Sequence, residues 1–198
     1  MRKTIRVSLT LLAAAVLGFA GLLGLSIRGF NLLTDETLIA EIEFEPIAAQ
    51  SYVGYLRTGD FCTEQIFAVY GDQWRVDAQF LKWHYWATLL GLESRYRLER
   101  FEGRYRDVTQ QNSRQTLSHP LAEPAPIDIA ALAERLGRLN FLVDTSYGSS
   151  TYHDIDPGLV YLVYKTPTAI ITRTRAQPPA LGPGGGLEVE VRHGCGAE

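Results

Sequence analysis

The sequence has almost no cysteine: Cys62 and Cys195 are the only two in 198 residues. That excludes a scaffold stapled by several disulfides and any four-cysteine zinc site. In an oxidising compartment the two could pair. The plainer reading makes Cys62 a small hydrophobe buried in a strand and Cys195 a loose thiol near the C-terminus. Excess charge is lacking too, since 19 Lys and Arg stand against 22 Asp and Glu, a net of -3. Without a basic surplus, nucleic acid is not an expected partner.

Motifs that hold nucleotides, metals or reacting groups are also missing. No Gly-x-Gly-x-x-Gly follows a strand pattern, and Gly184, Gly185 and Gly186 follow Pro183 rather than opening a helix. Tyr161 and Lys165 have a Tyr-x-x-x-Lys spacing but no dinucleotide-binding unit to give it meaning. His84, His119, His153 and His193 are scattered, none three or four residues from another, so neither metal nor cofactor is expected. Asp154, Asp156 and Gly158 resemble part of a calcium loop but lack its third acid and closing glutamate, which leaves a solvated turn. Ser149, Ser150, His153 and Asp154 lie too close along the chain for nucleophile, base and orienting acid to meet, and there is no Gly-x-Ser-x-Gly elbow. No catalytic residue is assigned.

One long hydrophobic run is present, and it organises the rest. Arg2, Lys3 and Arg6 precede residues 7–27, which carry no charge and end at Arg28. As a helix those residues reach ~31 Å, against a bilayer core of ~30 Å. More cations ahead of the run than after it keep the N-terminus in the cytoplasm and send the bulk across. A cleaved signal peptide competes, with Gly18-Phe19-Ala20 as its site, but the apolar run continues well beyond Ala20. Gly18, Gly21 and Gly24 form a small-residue ridge of the kind that admits a neighbouring helix, though such residues are common in any membrane span. The expected organisation is a cytoplasmic N-terminus (1–6), a transmembrane signal anchor (7–27), a juxtamembrane linker (28–36), an extracytoplasmic β-rich domain (37–175) and a flexible Pro/Gly-rich tail (176–198). The expected location is a bacterial inner membrane, crossed once, with the C-terminal domain in the periplasm.

In the domain the apolar period changes to two. Leu38, Ala40, Ile42 and Phe44 alternate with Glu41, Glu43 and Glu45, and Trp74, Val76, Ala78 and Phe80 alternate with Arg75, Asp77 and Gln79. That is the pattern of half-buried strands. Further strands are expected over 51–57, 62–70, 96–107 with a bend at Gly103, 160–164 and 169–172. Residues 82–92 read as a helical turn or loop, 110–125 as a surface loop, and Tyr147-Gly148-Ser149-Ser150 as a turn capping strand ends. Residues 126–140 carry Ile129, Leu132, Ala133, Leu136 and Leu139 at helical spacing, with Asp128 in the first turn. The predicted fold class is α+β, mainly β: the N-terminal transmembrane helix, then an antiparallel or mixed β-sheet, curved toward a barrel, with one packed amphipathic helix.

Two side-chain clusters stand out. Arg95, Arg97, Arg100, Arg104 and Arg106 are interleaved with Glu93, Glu99, Glu102 and Asp107, so a strand face laced with ion pairs is expected rather than an anion-binding patch. Trp83, Tyr85 and Trp86 are the candidate ligand-binding residues: such a density of rings lines an apolar pocket, rests at a membrane interface or packs a core.

The stretch Gly71-Asp72-Gln73-Trp74-Arg75-Val76-Asp77-Ala78, with Leu81-Lys82-Trp83, Leu89-Leu90-Gly91-Leu92 and Tyr96-Arg97-Leu98, resembles a family of uncharacterised, membrane-anchored bacterial envelope proteins. Leu33-Thr34-Asp35-Glu36-Thr37, Val143-Asp144 and Tyr147 to Tyr152 carry the same resemblance, which spans residues 33–164. Members are often catalogued as multidrug transporter or cation/multidrug efflux pump. The resemblance brings no catalytic residues, and one helix is too few for a pump, which needs several around a midplane site. The expected function is a non-enzymatic, membrane-anchored envelope protein that binds a partner protein or an apolar ligand, as an accessory to a transport system. The alternatives are an envelope enzyme with a dispersed site such as Asp77, His84 and Asp144, or a structural subunit of a larger membrane complex.

Overall fold

The computed structural model describes residues 2–122, 135, 137 and 143–177; within its first helix, side chains are described at 9, 11–24, 26, 27 and 30. The chain divides into two units, Met1–Asp35 and Glu36–Glu198. The first is the helix α1, Arg2–Thr34. Its helical pattern runs through 28–34, so the expected linker narrows to Asp35 and Glu36.

The second unit is built of strands in the order β1 (Thr37–Ala48), β2 (Ser51–Thr58), β3 (Glu64–Tyr70), β4 (Gln73–Trp83), β5 (Arg95–Arg104), β6 (Ser118–Pro120), β7 (Val143–Asp154), β8 (Leu159–Lys165) and β9 (Ile170–Ala176). Among the described residues two short helices intervene, α2 (Tyr85–Leu89) and α3 (Val108–Ser113). The strands form two antiparallel sheets rather than one: β3-β2-β1-β8-β9 and β6-β5-β4-β7. They do not close into a barrel. At one lateral seam His119 Nε2 pairs with Ala68 O at 2.8 Å. At the other, Thr151 Oγ1 meets Thr172 Oγ1 at 2.8 Å and Ser149 Oγ accepts from Ile170 N at 3.1 Å. Side chains bridge both seams where a barrel would have a backbone ladder.

The alternating residues face inward and build the core. Trp74, Val76, Ala78, Phe80 and Phe101 of one sheet pack against Ala40, Ile42, Phe44, Leu56, Val69, Tyr161 and Val163 of the other, all buried. Trp74 lies edge-on to Tyr161 at 5.2 Å, and Phe44 makes a T with Tyr161 at 5.8 Å. Such geometry adds to the area these rings remove from water. Tyr161 keeps its hydroxyl satisfied by donating to Asp154 O and accepting from Asp156 N, and burial raises its pKa.

Several expectations shift. Residues 110–125 are not a plain loop, because Asp107 caps α3 through Gln110 N and β6 pairs with β5. Tyr147-Gly148-Ser149-Ser150 is mid-strand in β7, fully paired with β4, since alternate hydroxyls find partners on either side of the sheet. The bend expected at Gly103 lies instead at the register shift between Asp77 and Ala78, where Glu99 is the extra residue. Gly103 has another reason to lack a side chain: a Cβ there would lie 2.2 Å from Tyr70 O. The expected helix over 126–140 falls outside the described residues except at Arg135 and Gly137, and the tail beyond 177 falls outside them entirely.

Cys62 is neither buried nor in a strand. It sits exposed after the positive-φ residue Phe61, with its amide donating to Asp60 Oδ1, and it is disulfide-bonded. The preferred reading of a free thiol is therefore corrected. Cys195, the other cysteine, lies outside the described residues.

Candidate functional site

Of the three aromatic candidates, Trp83 has a structural job. Its Nε1 donates to Glu93 O at 2.8 Å, and its ring packs on the Leu81 and Val143 pair. Tyr85 and Trp86 follow in α2, whose turn is fixed by Ala87, fully buried, and by Ala87 N and Thr88 N donating to His84 O. With Ala87 turned inward, its two predecessors turn outward. The depression described below is lined by none of the three.

The outer face of the β6-β5-β4-β7 sheet carries a depression of about 610 Å³, which sequence reading did not anticipate. It is lined by Asp77, Gln79, Glu99, Arg100, Ser118 and Ser150, among others. Two local events create it. The bulge at Glu99 bends β5 away from β4, and β6 covers only three residues of β5, leaving a rim beside an open floor. Asp77 is at its centre: it accepts from Ser150 Oγ at 2.6 Å, from Arg100 Nη2 at 2.6 Å, and pairs with Arg75 Nε at 3.2 Å. Glu102 receives Arg75 at 2.6 Å, and Ser118 donates to its other oxygen. Partial burial pushes the Asp77 carboxyl up, but the Ser150 hydroxyl and the two guanidiniums outweigh it and leave the pKa lowered. Arg100 is raised in turn, chiefly by its bond to Asp77. A carboxylate so held stays ionised and is a poor base, so the depression suits recognition better than proton transfer. The expected ion-paired face is present, with Arg97–Glu99 and Arg106–Asp154 extending it.

The other sequence candidates are placed as follows. His84 Nδ1 and Lys82 Nζ approach Asp144 at 3.8 and 3.7 Å, so two members of the dispersed enzyme set meet. Asp77, the third, lies five strand positions before Lys82, roughly 17 Å away at ~3.4 Å per residue, and does not join them. Ser149 and His153 point into the sandwich while Ser150 points out, which breaks up any triad. Asp156 folds a local turn by accepting from Gly158 N at 2.8 Å. Among the described residues no cluster of three His, Cys, Asp or Glu is placed to hold a metal.

Among the described residues no helix is long and apolar enough to cross a membrane. Comparison with known family models, with curated proteins and with solved structures finds no match to this chain.

Proposed function

We propose that this chain is a membrane-tethered bacterial envelope protein whose β-sandwich binds a partner outside the cytoplasm and performs no chemistry of its own. The observation that carries the tether is the exposure of α1. Leu9, Leu11, Leu12, Val16, Leu17, Phe19, Leu22, Leu23, Ile27 and Phe30 are each 51–73% exposed. Spaced by ~100° per residue, they surround most of the helix, and a helix apolar on nearly every side requires lipid or protein around it. Residues 7–27 add the uncharged length that one crossing needs. The disulfide at Cys62 supports the far side of the membrane, because such bonds persist in oxidising compartments and are rare in the cytosol. For binding, the Asp77–Arg100 depression offers donors and acceptors suited to a polar segment of a protein partner. The resemblance to proteins catalogued as efflux pumps fits a role beside a multi-pass transporter.

Alkaline carbonate extraction of membranes, with a C-terminal reporter active only outside the cytoplasm, tests the tether: the chain stays in the pellet and the reporter is active. A shortened soluble product, or a reporter active only in the cytosol, sinks the reading. Crosslinking in intact cells tests the binding face, with Arg100→Glu and Ser150→Glu expected to reduce partner capture while the chain remains folded.

A further inference from the structure

The β unit has an apolar tip, and it lies at the end where β1 begins. Three links fix the position. Thr37, the first residue of β1, pairs with Lys165 of β8. The Lys165 ammonium lies 5.9 Å from the centre of the Tyr96 ring, and Tyr96 pairs with Phe80 near the end of β4. Three residues beyond Phe80, β4 ends and α2 and its loop begin. This α2 tip presents Tyr85 at 75%, Trp86 at 44%, Leu90 at 77% and Leu92 at 41% exposure. Leu90 and Leu92 flank Gly91, whose positive φ makes the tight turn between them. The tip is held in shape, since Leu90 N donates to Trp86 O and Leu92 N to Ala87 O.

We infer that this tip rests in the headgroup zone of the bilayer that α1 crosses, a second membrane contact added to the tether. The inference rests on the tethered reading above. Lipid is the favoured occupant because of covalent reach: Thr34, the last residue of α1, is three residues from Thr37, a span of at most about 10 Å. Whatever surrounds the end of α1 is therefore close to the strand end that carries the tip. The composition suits the same medium: Trp and Tyr place an apolar ring and a polar edge at the water boundary, while Leu90 and Leu92 enter the first layer of acyl chain. Lys82 and Lys165, at the base of the tip, leave ammonium groups at headgroup level, where anionic lipid adds to the contact.

The test is made on the full chain in vesicles of phosphatidylcholine and phosphatidylglycerol carrying acyl chains brominated near the headgroup. Trp86 is one of three tryptophans, and Trp74 is buried in the core. Wild type is expected to lose roughly a third of its emission to the bromolipid, Trp83→Phe roughly half, and Trp86→Phe far less, because an indole in the headgroup zone touches the bromine. Tyr85→Ser with Leu90→Ser is expected to restore quenching of Trp86 by aqueous iodide. Equal quenching in wild type and Trp86→Phe overturns the inference. So does a Trp86 shielded from iodide yet untouched by bromolipid, which would mark a protein as its cover. Carbonate extraction separates this failure from that of the tether: a chain retained in the membrane with Trp86 in water keeps α1 as anchor and loses only the tip.

Discussion

The two ends of the sandwich are built on opposite principles. At the far end, where β3 crosses to β4, backbone and side chains are knotted. Gly71 takes a φ of +121° and a Cβ there would lie 2.2 Å from Arg104 O, while Gly103 runs against Tyr70. Asp72 ties the corner by accepting from Gln50 Nε2 at 2.7 Å and from Arg106 N at 3.2 Å, as its own amide donates to Arg104 O. At the near end, where β1 starts, the chain instead turns out Tyr85, Trp86, Leu90 and Leu92. The first end uses glycine and hydrogen bonds to bring main chains together; the second uses a short hydrogen-bonded turn to hold apolar groups apart from the core. Stability is concentrated where function is not expected, and surface chemistry where little stability depends on it.

The contrast can be broken most severely at Gly103. Gly103→Ala should cost about 3 kcal/mol or more, because the new methyl meets main chain that cannot rotate aside; thermal unfolding measures it, and a loss within error would refute the close approach. Asp72→Ala should cost about 1–2 kcal/mol through its lost hydrogen bonds, read by urea titration. Acid should act next. The Asp77 carboxyl, lowered by Ser150, Arg100 and Arg75, contributes stability that is complete above its unfolded value near ~3.9 and is lost as pH falls through the lower folded value. Asp154, lowered by Gln73 and Arg106, adds little because it is well exposed. Asp77→Asn should therefore flatten the acid limb of a stability profile while changing little of its shape near neutrality. The smallest effect belongs to the near end: Tyr85→Ser with Leu90→Ser should shift stability by no more than about 0.5 kcal/mol, although membrane contact is lost. A large drop in melting temperature there would erase the distinction between the ends.

Much of the sandwich was legible. The period-two runs at Leu38 to Phe44 and Trp74 to Phe80 became β1 and β4, because each has one face on the core and one on polar neighbours. Less visible was the division into two sheets, which depends on the Gly71-Asp72 crossing, a contact between distant stretches that local pattern does not encode. Tyr147 to Ser150 read as a turn since Gly and Ser favour turns; their strand form is imposed by pairing with β4 on one side and by Asp77 and Ile170 as hydrogen-bond partners. The depression was hidden for a related reason. Asp77, Glu99, Arg100 and Ser150 are ordinary surface residues in sequence, and only the bulge and the brevity of β6 bring them round a hollow. The aromatic run was visible from the start, but its division into an inward Trp83 and an outward Tyr85 and Trp86 turns on where Ala87 docks.

The place of β1 has a mechanical consequence. It is an interior strand of its sheet, bonded to β2 on one side and β8 on the other, and it is the strand joined directly to α1. A pull along that junction would load both ladders lengthwise, so many hydrogen bonds must yield together instead of unzipping singly. Traction from the N-terminal side is thus resisted by two ladders at once, whereas the same tug on β9, bonded along one flank, would load only one.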